Sequence, residues 1–181
     1  MVELRTDRLV LKEFSLTNLE KIHQLHSLPE TDRFNTMGIP ASIEETGKVL
    51  EKWMEEIVSK PRKRYVFCIY SESNDFVGLI GINMGKPAYR NAELWYKIHP
   101  EFWNRGFATE VVNQILHFCF NVLKLHRISA GCAVENVASI RVLEKSGMRK
   151  EGHCRKILPI RGEWVDNYEF AILEEDFLQK G

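Results

Sequence analysis

No stretch of the chain approaches the ~18 consecutive apolar residues that a membrane-crossing helix needs, so no membrane partner is expected. An excess of charge of one sign is also missing. The 25 basic residues are balanced by 25 acidic ones, which leaves no electrostatic footprint of a nucleic-acid binder. Cysteine is sparse: Cys68, Cys119, Cys132 and Cys154 form no CxxC pair. The first three sit in apolar runs, as buried free thiols do. That usage points to a reducing, cytoplasmic setting with structural cysteines. The six histidines show no metal-ligand spacing. A zinc site needs three or four convergent ligands, so no metal is expected. There is no GK[ST] phosphate loop, no GxGxxG, no repeat, no low-complexity tract and no linker. Glu3, Arg5, Asp7 and Arg8 interrupt any apolar run that would read as a signal peptide.

What is there is an ordinary globular pattern: 181 residues, 44% hydrophobic and 28% charged. It suits one domain over residues 1–181. Residues 8–14 read as a strand. Thr17-Asn18-Leu19-Glu20 reads as a capping box that opens a helix to about Leu28. A loop over residues 30–41 precedes a second capping box, Ser42-Ile43-Glu44-Glu45, and a helix carrying Val49, Leu50, Trp53, Met54 and Ile57. Strand patterns follow over residues 65–70, 76–84 and 92–98, and a helix over 106–122. An apolar strand over 127–134 reads as buried on both faces. The tail holds a helix over 136–146 closed by Gly147, then strands over 149–158 and 163–173. Short turns imply antiparallel neighbours, whereas the strand–helix–strand unit over 92–134 implies a parallel, right-handed pair. The expected class is α/β, with a mixed, mostly antiparallel sheet.

The most informative stretch is the turn between the strand over 92–98 and the helix that follows it. Pro100 stops the strand; Trp103-Asn104-Arg105-Gly106-Phe107-Ala108-Thr109 leads into the helix. A helix N-terminus offers unpaired N–H groups and a partial positive charge. Gly106 permits close approach to the backbone, and Arg105 adds a full charge. The combination suits an anion such as a pyrophosphate. A basic, glycine-bearing turn can also bind nothing.

Trp103-Asn104-Arg105-Gly106-Phe107-Ala108 resembles the [QR]-x-x-G-x-[GA] acyl-CoA signature of the GNAT N-acetyltransferases. Trp103 departs from the Gln or Arg of that signature. Asn136-Val137-Ala138-Ser139, with Glu144-Lys145-Ser146-Gly147-Met148, is similar to a segment of the branch that acetylates the N-terminal alanine of ribosomal proteins. The resemblance runs from Leu4 to Asp166. It implies a GNAT fold with a splayed parallel strand pair, and acetyl-CoA as co-substrate. The implied acceptor is a primary amine: most simply a protein N-terminus, otherwise an antibiotic, amino-nucleotide, polyamine or amino acid. A non-catalytic acyl-CoA sensor is a further alternative.

Residue by residue, the resemblance implies that Lys97, Ile98 and His99 offer backbone groups to the pantetheine arm. Trp103, Asn104, Arg105, Gly106, Phe107, Ala108 and Thr109 would hold the pyrophosphate. Glu93, within Ala92-Glu93-Leu94-Trp95-Tyr96, would be the general base, directly or through water. Glu13, Glu163 and Asp166 are lesser candidates. Ser139 would protonate the leaving thiolate, because the position of the tyrosine that other GNAT enzymes use is Leu143 here. Asn136 would bond the pantetheine or thioester. Read without the family, Glu93 is a strand-edge glutamate, Asn136 an N-cap and Ser139 a first-turn serine. The acceptor side would be lined from Arg33, Phe34, Met37, His153, Arg155, Trp164, Asp166 and Tyr168, with Trp53 in the core. A homodimer is conceivable if the edge of the last strand, residues 168–173, is free.

Overall fold

A computed structural model describes residues 2–179. Its centre is an eight-stranded sheet in the order β1-β2-β3-β4-β5-β6-β8-β7. The strands are β1 (Glu3–Arg5), β2 (Leu9–Glu13), β3 (Arg64–Ser71), β4 (Phe76–Met84), β5 (Asn91–Ile98), β6 (Arg127–Ala133), β7 (Arg149–Ile160) and β8 (Glu163–Leu173). All neighbours are antiparallel except β5 and β6. The expected mixed, mostly antiparallel α/β class is what the chain adopts.

Helices cover both faces, because each face carries its own apolar set. On one face α4 (Phe107–His117) and α5 (Val137–Lys145) bury Val111, Val112, Ile115 and Leu143 against Leu94, Ile128 and Phe170. On the other, α1 (Leu19–His26) and α3 (Ile43–Val58) bury Ile22, Leu25, Leu50 and Trp53 against Val66, Cys68 and Leu79. Trp53 is core, as its helical stripe indicates. The start of α3 is fixed as the sequence indicates: Ser42 Oγ accepts from the Glu45 N–H (3.4 Å) and Glu45 Oε2 accepts from the Ala41 N–H (2.8 Å).

Several local readings change. The first capping box is not built on Thr17. A short turn over Leu16–Asn18 comes first, with Asn18 Oδ1 accepting from the Ser15 N–H (3.0 Å), and α1 ends at His26. The loop over 30–41 begins inside a four-residue helix, α2 (Pro29–Asp32). After His117 the central helix widens into a π-helical turn over Phe118–Val122. A short helix, α6 (Glu174–Leu178), follows β8. β6 is not buried on both faces: Ile128, Ala130 and Cys132 are buried, while Gly131 is exposed. β8 is an interior strand, paired with β6 on one side and β7 on the other. Its edge is therefore not free, so the exposed edge on which a dimer through residues 168–173 would depend is not offered by this strand.

Candidate active site

β5 and β6 register over only three residue pairs: Asn91–Arg127, Ala92–Ile128 and Glu93–Ser129. Beyond Glu93 the strands part, and the chemistry-bearing residues gather around the gap. The antiparallel partner of β5 explains which backbone groups face that gap. The His99 N–H donates to Val77 O (2.8 Å), toward β4. Alternation then turns the N–H and C=O of Lys97 toward β4 as well, and those of Leu94, Tyr96 and Ile98 toward β6. Of the expected trio, Ile98 faces the gap, whereas His99 and Lys97 do not.

At the far end of β5 the turn is rigidly made. Trp103 Nε1 donates to Ile98 O (2.8 Å), tying the tryptophan back to the strand. His99 Nδ1 accepts from the Glu101 N–H (3.4 Å), a structural role for its ring. Asn104 (φ 60°) and Gly106 (φ 79°) both take left-handed backbone, bracketing Arg105. The first helical bond behind them runs from Glu110 N–H to Gly106 O (3.1 Å). The N–H groups of Phe107, Ala108 and Thr109 thus lie ahead of the helical ladder and point out of its N-terminus.

The turn is braced by residues far away in sequence. Glu110 accepts from Thr6 Oγ1 (2.5 Å), the Arg8 N–H (3.1 Å), Arg8 Nε (2.8 Å) and Arg8 Nη2 (2.5 Å). Arg8 Nη1 also donates to Arg105 O (3.0 Å), and its guanidinium lies 4.6 Å from the Phe107 ring centre. Burial works to raise the Glu110 pKa, but the Thr6 and Arg8 hydrogen bonds outweigh it and hold the carboxyl below its usual range. Thr6 and Arg8 belong to the opening hairpin, and nothing local in sequence marks them as partners of a helix 102 to 104 residues on.

Across the gap, α5 presents Asn136 and Ser139. Asn136 Oδ1 accepts from the Ser139 N–H (3.2 Å), so it is the N-cap of α5. The Ser139 hydroxyl bonds the Tyr96 hydroxyl at 2.8 Å. Burial pushes the Tyr96 phenol up to about 12, opposed by the Ser139 bond, so at neutral pH the pair holds both its protons. Tyr96 was visible only as part of the strand motif; its contact with a helix 43 residues later was not. Cys132, next to Ser139, is pushed up to about 11 by burial, which makes it a weak nucleophile at neutral pH.

Glu93 does not join this cluster. Ala92, Leu94 and Ile98 point into the α4 layer, and Trp95 packs with the α1–α3 layer. Glu93 shares the parity of Trp95 and Lys97 and so projects from the opposite face, where it is exposed. The arrangement puts a hydroxyl donor on one face of the split sheet and a carboxylate on the other. Of the lesser candidates, Glu13 is spoken for by the Val2 N–H (2.8 Å) and Arg62. Asp166 accepts from the Lys156 N–H (2.9 Å) and pairs with His153 Nε2 (2.7 Å). Glu163 is exposed on the last hairpin.

Among the expected acceptor-side residues, Arg33 and Phe34 line a shallow cavity of about 300 Å³ with Ile160, Arg161, Glu163 and Val165 of the β7–β8 hairpin. Trp164, Met37 and Arg155 are exposed. Tyr168 lies against His153, ring centres 5.2 Å apart.

A sheet whose single parallel pair parts beside a glycine-led helix N-terminus defines an acyl-CoA-dependent transferase. The comparisons agree: the acetyltransferase (GNAT) domain profile matches residues 8–149, and the chain belongs to the GNAT acetyltransferase family. YnaD of Bacillus subtilis (strain 168), an uncharacterized N-acetyltransferase, is 44% identical over 85 residues, 47% of this chain and 50% of YnaD. In that match the chain spans about half the length of the relative. YoaA of the same organism, also an uncharacterized N-acetyltransferase, is 30% identical over 171 residues, 94% of this chain and 96% of YoaA. The crystal structure of spermidine N-acetyltransferase from Vibrio cholerae in complex with CoA and spermine superposes with a TM-score of 0.85 at 25% identity. That match covers 96% of this chain and 99% of that one.

Proposed function

We propose that the chain acetylates the α-amino group of a protein N-terminus, of the ribosomal-protein kind, by direct attack on acetyl-CoA in the cytoplasm. The observation that carries the mechanism is the Tyr96–Ser139 hydroxyl pair at the gap between β5 and β6. Acetyl-CoA lies with its pyrophosphate at the N–H groups of residues 106–109 and its pantetheine along the free edge of β5. The acceptor enters from the face that carries Glu93. The amine nitrogen attacks the thioester carbon; Glu93 takes its proton, directly or through water. A backbone N–H of β5 that faces the gap polarises the thioester oxygen. The C–S bond breaks as Ser139 gives its proton to the thiolate, and Ser139 recovers a proton from solvent.

Two features support direct transfer to a bulky acceptor. The buried Cys132 thiol is held protonated, so an acyl-enzyme gains nothing from it. The acceptor side is open: Trp164 and Met37 are exposed, and the cavity beside them mixes Phe34, Ile160 and Val165 with Arg33, Arg161 and Glu163, as suits a polypeptide end. A small amine is the second reading, favoured by the structural neighbour that holds CoA and spermine. The test is thiol release from acetyl-CoA with ribosomal proteins or with a small-metabolite fraction. Release driven by the ribosomal fraction, with acetylated N-termini found by mass spectrometry, supports the reading. Release with metabolites alone overturns it in favour of a small amine.

A further inference from the structure

Next to Tyr96 on β5 stand Trp95 and Lys97, whose side chains go to the acceptor face. Both end in buried polar atoms without a protein partner among the described residues: Trp95 Nε1 and Lys97 Nζ. Asp32 on α2, only 5% exposed, has a third such atom, Oδ1. Buried donors and acceptors are almost always satisfied, so three of them in one region mark a place where another polar group sits.

The three belong to one region. The Trp95 ring lies 5.3 Å from Trp53, and His26 lies 6.2 Å from the same Trp53. Lys97 is close enough to act on the charges of both His26 and Asp32. It is not in an ion pair with Asp32. The other Asp32 oxygen instead accepts from Arg161 Nε at 3.2 Å, and Arg161 Nη2 donates to Pro29 O. Arg161 is half-exposed and also lines the cavity of about 300 Å³, so its bond to Asp32 joins that cavity to the buried group. Burial, with the Lys97 and His23 charges, lowers His26 to about 3, leaving it neutral. Two of the three unspent atoms are donors.

We propose that Lys97 Nζ and Trp95 Nε1 bind an oxygen on the α-carbonyl of the acceptor, so that the substrate class is an α-amino acid or peptide N-terminus rather than a simple amine or polyamine. The inference rests on the acetyl-transfer reading above. Asp32 Oδ1 faces the same group and selects for an N–H or ammonium beside it. Burial lowers the Lys97 ammonium to about 8, against the pull of Asp32, which fits a cation built to be completed by a ligand.

The experiment compares L-alanine, trialanine and ethylamine as acceptors, reading thiol release from acetyl-CoA. Ethylamine lacks only the carboxyl group. With each kcat/KM divided by the free-base fraction of its amine, the value expected for alanine or trialanine exceeds that for ethylamine by at least about tenfold, the worth of a hydrogen bond to a charged group. Alanine ahead of trialanine names a free carboxylate; the reverse names a peptide carbonyl. Lys97→Met should bring the ratio toward one, and Trp95→Phe, which keeps the ring and removes the donor, should lower it. Equal use of ethylamine by the unaltered protein, or an unchanged ratio in Lys97→Met, overturns the subsite. Thermal stabilisation of the CoA-loaded protein by N-acetylalanine, set against N-ethylacetamide, reads the subsite without turnover. Stabilisation by N-acetylalanine alone, with no thiol release from any amine, keeps the subsite and sinks the transfer reading. Thiol release without preference or selective stabilisation does the opposite.

Discussion

Replacing Ser139 by alanine removes the hydroxyl on which the proposed proton transfer to sulfur depends. A positioned general acid is worth about 10²–10⁴ in rate, so kcat should fall by that factor with little change in the KM for acetyl-CoA. The same change strips Tyr96 of its partner at 2.8 Å. A buried hydroxyl left unsatisfied costs roughly 1–3 kcal/mol, or roughly 2–4 °C in Tm per kcal/mol for a chain of this size. Tyr96→Phe acts from the other side: it leaves Ser139 able to donate but unheld. With a net hydrogen-bond worth of about 0.5–1.5 kcal/mol, kcat should drop about 2- to 12-fold. If Tyr96 works through Ser139, adding Tyr96→Phe to Ser139→Ala should cost almost nothing further. The assay is continuous thiol release at saturating acetyl-CoA, with Tm measured on each variant. Full turnover in Ser139→Ala, or two losses that multiply in the double variant, would refute the reasoning.

Four further outcomes are expected. Gly106→Ala places a methyl group where only Arg8 Nη2 lies within 4 Å, at 3.5 Å, so space is not the problem. The left-handed φ is, at about 1–2 kcal/mol, and both Tm and acetyl-CoA affinity, read by calorimetry, should fall. Gly81→Ala drives a Cβ to 2.4 Å from the Trp95 ring. Overpacking of this kind costs about 1–3 kcal/mol, visible as a lower denaturant midpoint. The Glu110 carboxyl titrates below its ordinary value of 4.5, so its contribution is full above that value and disappears as pH falls through the folded pKa. Acid unfolding curves of Glu110→Gln should therefore lack part of the pH dependence seen in the parent below about pH 4.5. Lys97 has the opposite sign of effect. Its folded pKa of about 8 lies under 10.5, so its burial costs stability below pH 8 and that cost is relieved between pH 8 and 10.5. Lys97→Met should raise Tm at pH 7, by an amount that shrinks as pH approaches 10.5.

Much of the fold was legible because it is written at short range. Helical stripes such as Leu50-Trp53-Ile57 and the Ser42 cap need only neighbours to be seen. What escaped was either too short to show a period or decided elsewhere in the chain. β1 has three residues and α2 has four. The interior place of β8 follows from β7 lying outside it, and no strand announces its rank in a sheet. The site divides in the same way. The turn over residues 103–109 and the Asn136–Ser139 pair are contiguous motifs, hence readable. The braces that hold them, Arg8 on Glu110 and Tyr96 on Ser139, join residues more than forty positions apart. Which backbone groups of Lys97, Ile98 and His99 face the gap was not legible, because a motif lists residues in a row while a strand alternates them.

The brevity of the β5–β6 pairing has a mechanical side. Five strands lie on one side of that seam and three on the other, with three residue pairs between them. At the closed end Arg90 acts as a rivet: its carbonyl takes the His126 N–H (2.6 Å) and the Arg127 N–H (3.3 Å), and its Nε reaches Lys124 O (2.8 Å). The sheet is thus a pair of shears, pinned at Arg90 and open toward Ile98. On the proposed binding mode, a pantetheine chain laid along the open blades would complete the hydrogen bonding that the strands leave undone, so the co-substrate would double as a splint. The amide hydrogens of Tyr96 and Ile98 should exchange with solvent quickly in the free protein and slowly once the blades are filled.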